Sequence, residues 1–213
     1  MPTNWTYYYK GRNTLNTYPI KVTTLPITRD EQIVEQAIAE AANLIASSAR
    51  TAPKGRGVDR ITTAIISGKE KNDLADAMER RVEHKRNPLP AFKRDAQSIR
   101  KSPLVVLIGV KGTTPKVPEN PLNCGACGNA TCADFIKAEK KKGEDYTGPI
   151  CIFEAVDLGI ALGSAVKMAG ELNVDNRIMY TVGVAAKDLQ LLDADVIFGI
   201  PLSMTGKNIF FDR

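Results

Sequence analysis

The stretch SARTAPKGRGVDRITTAII (Ser48–Ile66) changes character twice within nineteen residues. A helix-compatible run reaches Pro53, which disfavours helix at the residue before it. The glycine loop GRG follows, and then a β-branched run predicts a strand over Ile61–Ser67. Helix, turn and strand therefore meet here. Upstream, Val34, Ile38, Ala41, Ile45 and Ser48 mark one helical face, and Thr28 with Glu31 has capping-box spacing for its start. Downstream, Ser67 and Glu70 repeat that spacing before a helix with Leu74, Met78 and Val82 on its inner side.

The remaining chain extends the alternation. A loop, RNPLP, precedes a short helix near Phe92–Arg100. PLVVLIGV is apolar throughout and of strand length, which predicts a central strand covered on both faces. A long helix is expected over Phe153–Leu172, an extended piece near Arg177–Thr181 and a helix near Ala185–Leu192. The strand DVIFGIPL comes before the tail GKNIFFDR. Together these imply a layered core of the α+β or α/β type. Residues 1–27, rich in Thr, Tyr and Asn, lack helical period and read as an arm, with a short strand near Ile20–Thr24. Residues 28–213 read as the core, interrupted by a cysteine segment at 112–151.

At 213 residues with a net charge of +5, the chain can bury a sizeable core without disulfides. No stretch reaches about 18 uninterrupted apolar residues, so no membrane span is expected. Met1–Tyr9 lacks the form of a signal peptide. A reducing cytoplasm is the expected compartment. Basic residues bunch at His84–Lys101 and Lys137–Lys142, but no aromatic platforms are interleaved with them, so nucleic acid is not expected as a partner. His84, the only histidine, sits among charges and receives no catalytic role.

All four cysteines fall in the pattern C-x2-C-x4-C-x18-C: Cys124, Cys127, Cys132 and Cys151. An iron–sulfur cluster takes three thiolates from one tight loop and a fourth from further along the chain. Gly125 and Gly128 make such a loop feasible. A zinc site is the main alternative, but four-cysteine zinc sites usually pair two short knuckles, and the second is missing here. Free structural or reactive thiols are the third reading.

The run CGACGNATC…C resembles the C-G-x-C-G-x-x-x-C…C module that carries a [4Fe-4S] cluster in iron–sulfur subunits of corrinoid proteins and Rnf-type electron-transport complexes. Asn129 stands where that module often has an aromatic. More broadly, ARTAPKGRGVD, RDAQSI, NCGACG, DLGIALGSAVKMA, VDNRIMY and GIPLSMTGKNIFFDR resemble the uncharacterised ferredoxin domain-containing family of archaea and anaerobic bacteria. The core is also similar to nitroreductases: an Ala-Pro loop after a helix, a central helix like EAVDLGIALGSAVKMAGEL, and a closing strand with Gly-x-Pro.

This likeness implies a nitroreductase-like α+β core with an iron–sulfur insert. It also implies a homodimer around the long helix, where Gly159 and Gly163 would permit close approach, and FMN as a second cofactor. The arginine-rich opening motif that binds the FMN phosphate in nitroreductases is absent. The candidates in its place are Arg50, Pro53, Lys54 and Arg56, with Lys207 from the tail. For the three cations of the loop, the alternative is a solvated turn complementing a helix C-terminus. Asp157 reads as a buried, hydrogen-bonded helix acid.

The expected function is relay of electrons through a [4Fe-4S] cluster to or from a flavin in the core. The alternative is a flavin-free electron-transfer or sensing module that acts through a partner protein. A structural metal site is the third option. No nucleophile–base pair, phosphate-cradling loop or dinucleotide fingerprint is found, so no catalytic residue or substrate is assigned.

Overall fold

The computed structural model describes residues 27–84 and 89–211, without the side chain of His84. The arm expected over 1–27, with its short strand, lies outside the described residues except for Ile27.

The first helix, α1, spans Asp30–Thr51 and buries Ile38, Ala41, Ala42, Ile45 and Ala49. The expected Thr28–Glu31 capping box does not form. Arg29 occupies the cap position without a side-chain bond, and Asp30 and Glu31 in the first turn supply the negative charge that a helix N-terminus favours. At the other end the Ala52 N–H bonds to the Ser48 carbonyl at 3.0 Å, and Pro53 stops the helix.

Strand β1 (Ile61–Ser67) leads to α2 (Gly68–His84) and α3 (Ala91–Lys101), then to β2 (Leu104–Val110). As the apolar run PLVVLIGV predicts, every residue of β2 is buried. It pairs antiparallel with β1 on one side and with β6 (Val196–Ser203) on the other. A two-residue strand, β5 (Asp175–Asn176), completes the order β1-β2-β6-β5.

The period of two along β2 divides the interior into two cores. Leu104, Val106, Ile108 and Val110 face α1 and α5 (Ile152–Glu171). Val105 and Leu107 face α2, α3 and α6 (Tyr180–Asp188). The result is three layers, with the sheet in the middle. Full burial of each such Val, Ile or Leu contributes about 1.5–3 kcal/mol, so the sheet is fixed from both sides.

Two expectations shift. The extended piece near Arg177–Thr181 lies earlier, at β5, followed by a single bridge from Met179 to Gly199. The next helix begins at Tyr180 and ends at Asp188 rather than reaching Leu192. Its β-branched start, Thr181 and Val182, reads locally as strand, but packing on β6 overrides that propensity. Gly183 allows the contact: a Cβ there would lie 1.6 Å from the Ile197 carbonyl oxygen.

Between β2 and α5 the chain forms a short helix, α4 (Cys132–Lys137), and a small hairpin, β3 (Lys141–Lys142) with β4 (Thr147–Gly148). Helices α1 and α5 pack through alanines, including Ala42, Ala49, Ala161 and Ala165, all fully buried. Ser48 and Ser164 exchange hydroxyl-to-carbonyl bonds of 3.3 and 3.1 Å across this seam. Gly159 and Gly163 instead face open space.

Candidate functional site

The turn just beyond β2 fixes one cysteine. The Cys151 N–H bonds to the Gly112 carbonyl at 2.8 Å, and Cys151 is the cap residue of α5. The first turn of a twenty-residue helix favours negative charge at that position. The other three cysteines lie on a loop whose turns need left-handed backbone: Gly125 and Gly128 have φ of 76° and 83°. Its internal ties are the Gly128 N–H to the Gly125 carbonyl at 2.9 Å and the Cys132 N–H to Asn123 Oδ1 at 2.8 Å. Beyond it, a Thr131–Asp134 capping box starts α4 at Cys132, and buried Phe135 anchors that helix.

Cys124, Cys132 and Cys151 line one cavity together with Arg56, Lys116 and Phe153. Cys127 is tied to its loop differently, with its Sγ 3.7 Å from Asn129 Nδ2. The amide of Asn129, at the position where the resembling module carries an aromatic, is thus a donor toward sulfur. The cavity measures about 30 Å³, and among the described residues no three His, Cys, Asp or Glu side chains are gathered closely enough to hold an ion. A larger group would fit only with displacement of the exposed loop. The donor set fits an iron–sulfur core: four thiols, three of them on one cavity, on a glycine-bearing loop beside a helix N-terminus.

A buried charge network underlies this cavity. Glu154 is fully buried, with Arg60 Nη1 3.2 Å from Oε1 and Lys116 Nζ 3.4 Å from Oε2. Lys116 also contacts Asp157 Oδ2 and donates to the Val58 carbonyl at 2.9 Å. Asp157 Oδ1 accepts the Gly55 N–H at 2.9 Å. Burial pushes the Glu154 carboxyl above the usual range, against the opposing pull of Lys116 and Arg60. Two cations balance two carboxylates, joining the Gly55 turn and the loop around Lys116 to α5. Asp157 has the buried, bonded environment expected from sequence. Glu154, Lys116 and Arg60 lie outside the candidate residues that the sequence patterns mark; the one local signal is a second acid, three residues before Asp157, in the apolar run.

The residues considered for a flavin separate into two groups. Arg50 lies 3.2 Å from Asp59 and donates to the Ile61 carbonyl. Lys54 donates to the Ala49 carbonyl at 2.8 Å and to that of Arg50, with Asp59 3.7 Å away. Lys54 therefore serves the C-terminus of α1 and Arg50 ties that last turn to the start of β1, while exposed Pro53 ends the helix. Arg56 instead reaches the cysteine cavity and donates to the Asn120 carbonyl. Lys207 belongs to neither group; it is exposed beyond β6, its carbonyl accepting from Thr205 Oγ1 at 2.6 Å.

The fold is shared with flavin oxidoreductases. A crystal structure of an oxidoreductase containing FMN superimposes with a TM-score of 0.50 at 10% identity, covering 79% of this chain and 67% of that one. A nitroreductase with bound FMN from Desulfitobacterium hafniense gives 0.47 at 13% identity, covering 79% and 78%. A Desulfovibrio desulfuricans nitroreductase in complex with FMN gives 0.47 at 14%, covering 87% and 92%. These distant likenesses concern fold alone, and the chain has the nitroreductase-like α+β architecture expected from its sequence.

The nearer relationship is in sequence. An Archaeoglobus fulgidus protein is 44% identical over 187 residues, which are 88% of this chain and 97% of that protein. A family model described as "uncharacterized protein containing a ferredoxin domain" matches residues 147–213, a span that includes Cys151. The chain belongs to this ferredoxin-domain family.

Proposed function

We propose that this protein is an iron–sulfur redox protein in which Cys124, Cys127, Cys132 and Cys151 hold a [4Fe-4S] cluster. The observation that carries this reading is the convergence of Cys124, Cys132 and Cys151 on one cavity beside the N-terminus of α5. Such a cluster supplies a one-electron carrier. Two contacts of the chain's own residues support this reading: the Cys151 N–H bonds to the Gly112 carbonyl just beyond β2, and the Asn129 amide donates toward Cys127. Phe153 adds an apolar wall.

In the fuller form of this reading, the cluster exchanges electrons with FMN held near Arg50, Pro53, Lys54 and Arg56, with Lys207 contributing from the tail. The protein would then be a cytoplasmic homodimer. Its interface would be the face of α5 that leaves Ile152, Phe153, Val156 and Ile160 between 36% and 48% exposed. The described residues include no helix long and apolar enough to cross a membrane. A second reading, without flavin and acting through a protein partner, is favoured by Asp59, which already pairs with both Arg50 and Lys54.

The test is anaerobic purification followed by absorbance and electron paramagnetic resonance before and after dithionite. A paramagnetic signal appearing on reduction supports the cluster, and retained flavin fluorescence on denaturation supports the fuller form. Protein with no such signal contradicts the cluster reading.

A further inference from the structure

Arg56 has a backbone conformation that its side chain does not favour. It sits at φ 58° and ψ 14°, between two glycines that could have taken that conformation at no cost. An arginine there is strained, because its Cβ crowds the backbone in the left-handed region. The turn is clamped in this shape from the interior. The Gly55 N–H is bonded to Asp157 and the Val58 carbonyl to Lys116, each at 2.9 Å. A Cβ on Gly55 would lie 3.5 Å from Lys116 Cε, so the fit is close.

The clamp carries the Arg56 side chain onto the cavity lined by Cys124, Cys132 and Cys151. The charges around this cavity are not equivalent. Lys116 is balanced by Glu154 and Asp157. Arg50 and Lys54 lie outside the cavity lining and share the single carboxylate of Asp59. Among the described residues, the bond that Arg56 makes is to a neutral carbonyl, that of Asn120, so its positive charge is left to act on the cavity.

The geometry points to Arg56 as the cation that sets the reduction potential of the cysteine site, in place of a role as flavin-phosphate anchor. This inference rests on the cluster reading above. One electron added to a thiolate-bound cluster adds one negative charge, and a fixed guanidinium stabilises that reduced form and raises the midpoint potential.

The experiment is a potentiometric titration of the cluster-loaded protein, with dithionite as the electron donor and paramagnetic resonance as the readout. It compares wild type, Arg56→Gln and Arg56→Lys. Arg56 is exposed, so the variants keep the core contacts. Arg56→Gln should lower the potential by a shift equivalent to roughly tenfold in the electron-transfer equilibrium, ~59 mV for one electron. Arg56→Lys should restore most of it. Iron and sulfide content should not change. An unmoved potential in an iron-loaded Arg56→Gln protein overturns this inference and leaves the cluster reading standing. So does lost FMN binding with an unmoved potential. A wild-type protein that carries zinc and no iron overturns both.

Discussion

Lys116 and Glu154 meet inside the protein, with Nζ 3.4 Å from Oε2, and less than a tenth of either residue is exposed. One comes from the cysteine segment and the other from α5, so the pair ties the segment to the core. Lys116→Met leaves Glu154 and Asp157 buried without that cation, which should cost about 3–5 kcal/mol. Chemical denaturation should show the loss, and restoration in the Lys116→Met, Glu154→Gln double variant should be partial, because Asp157 still lacks its cation.

The seam between α6 and β6 depends on a missing side chain. Gly183→Ala would drive a methyl group to within 1.6 Å of the Ile197 oxygen, forcing the helix off the sheet. Its effect on the thermal midpoint should exceed that of Gly163→Ala, which meets only open space in the monomer.

The exposed stripe on α5 gives a separate expectation. Val156 is 48% exposed and Ile160 39%, on a face whose Gly159 and Gly163 leave room for another helix. Val156→Asp should shift sedimentation from dimer to monomer without unfolding the chain. A wild-type protein that sediments as a monomer at all concentrations contradicts the interface.

Alkaline pH should weaken the fold through two phenols. Burial is the main cause that raises Tyr146 and Tyr180 above their ordinary value of 10.0, and the Asp145 carboxylate beside the Tyr180 hydroxyl adds to it. The folded state therefore keeps protons that the unfolded chain releases above about pH 10. Their contribution is complete below that pH and is lost as pH rises further. Tyr146→Phe and Tyr180→Phe should each flatten the decline in stability above pH 10, as followed by urea titration at several pH values.

Much of the architecture is legible in local patterns. The β-branched run Ile61–Ser67 and the apolar run Leu104–Val110 are strands at the expected positions: the first is an edge strand marked by its β-branched residues, and the second is buried throughout, which leaves an unambiguous apolar composition. The start of α6 is misread because Thr181 and Val182 are strand formers held in a helix by their fit against β6. Cysteine spacing marks the candidate site, but the charges around it come from distant segments. Arg60 and Lys116 are 94 and 38 residues from Glu154, so no local pattern pairs them. Arg56 shows the same limit: its sequence neighbours suggest the turn beside Arg50 and Lys54, whereas the clamped backbone directs it to the cysteines.

The most direct test of the account is metal and sulfide analysis of anaerobically prepared wild type beside Cys127→Ser. The account predicts about four irons and four sulfides per chain in the wild type, with loss or degradation of the cluster in the variant. Stoichiometric zinc without iron in the wild-type protein would contradict it.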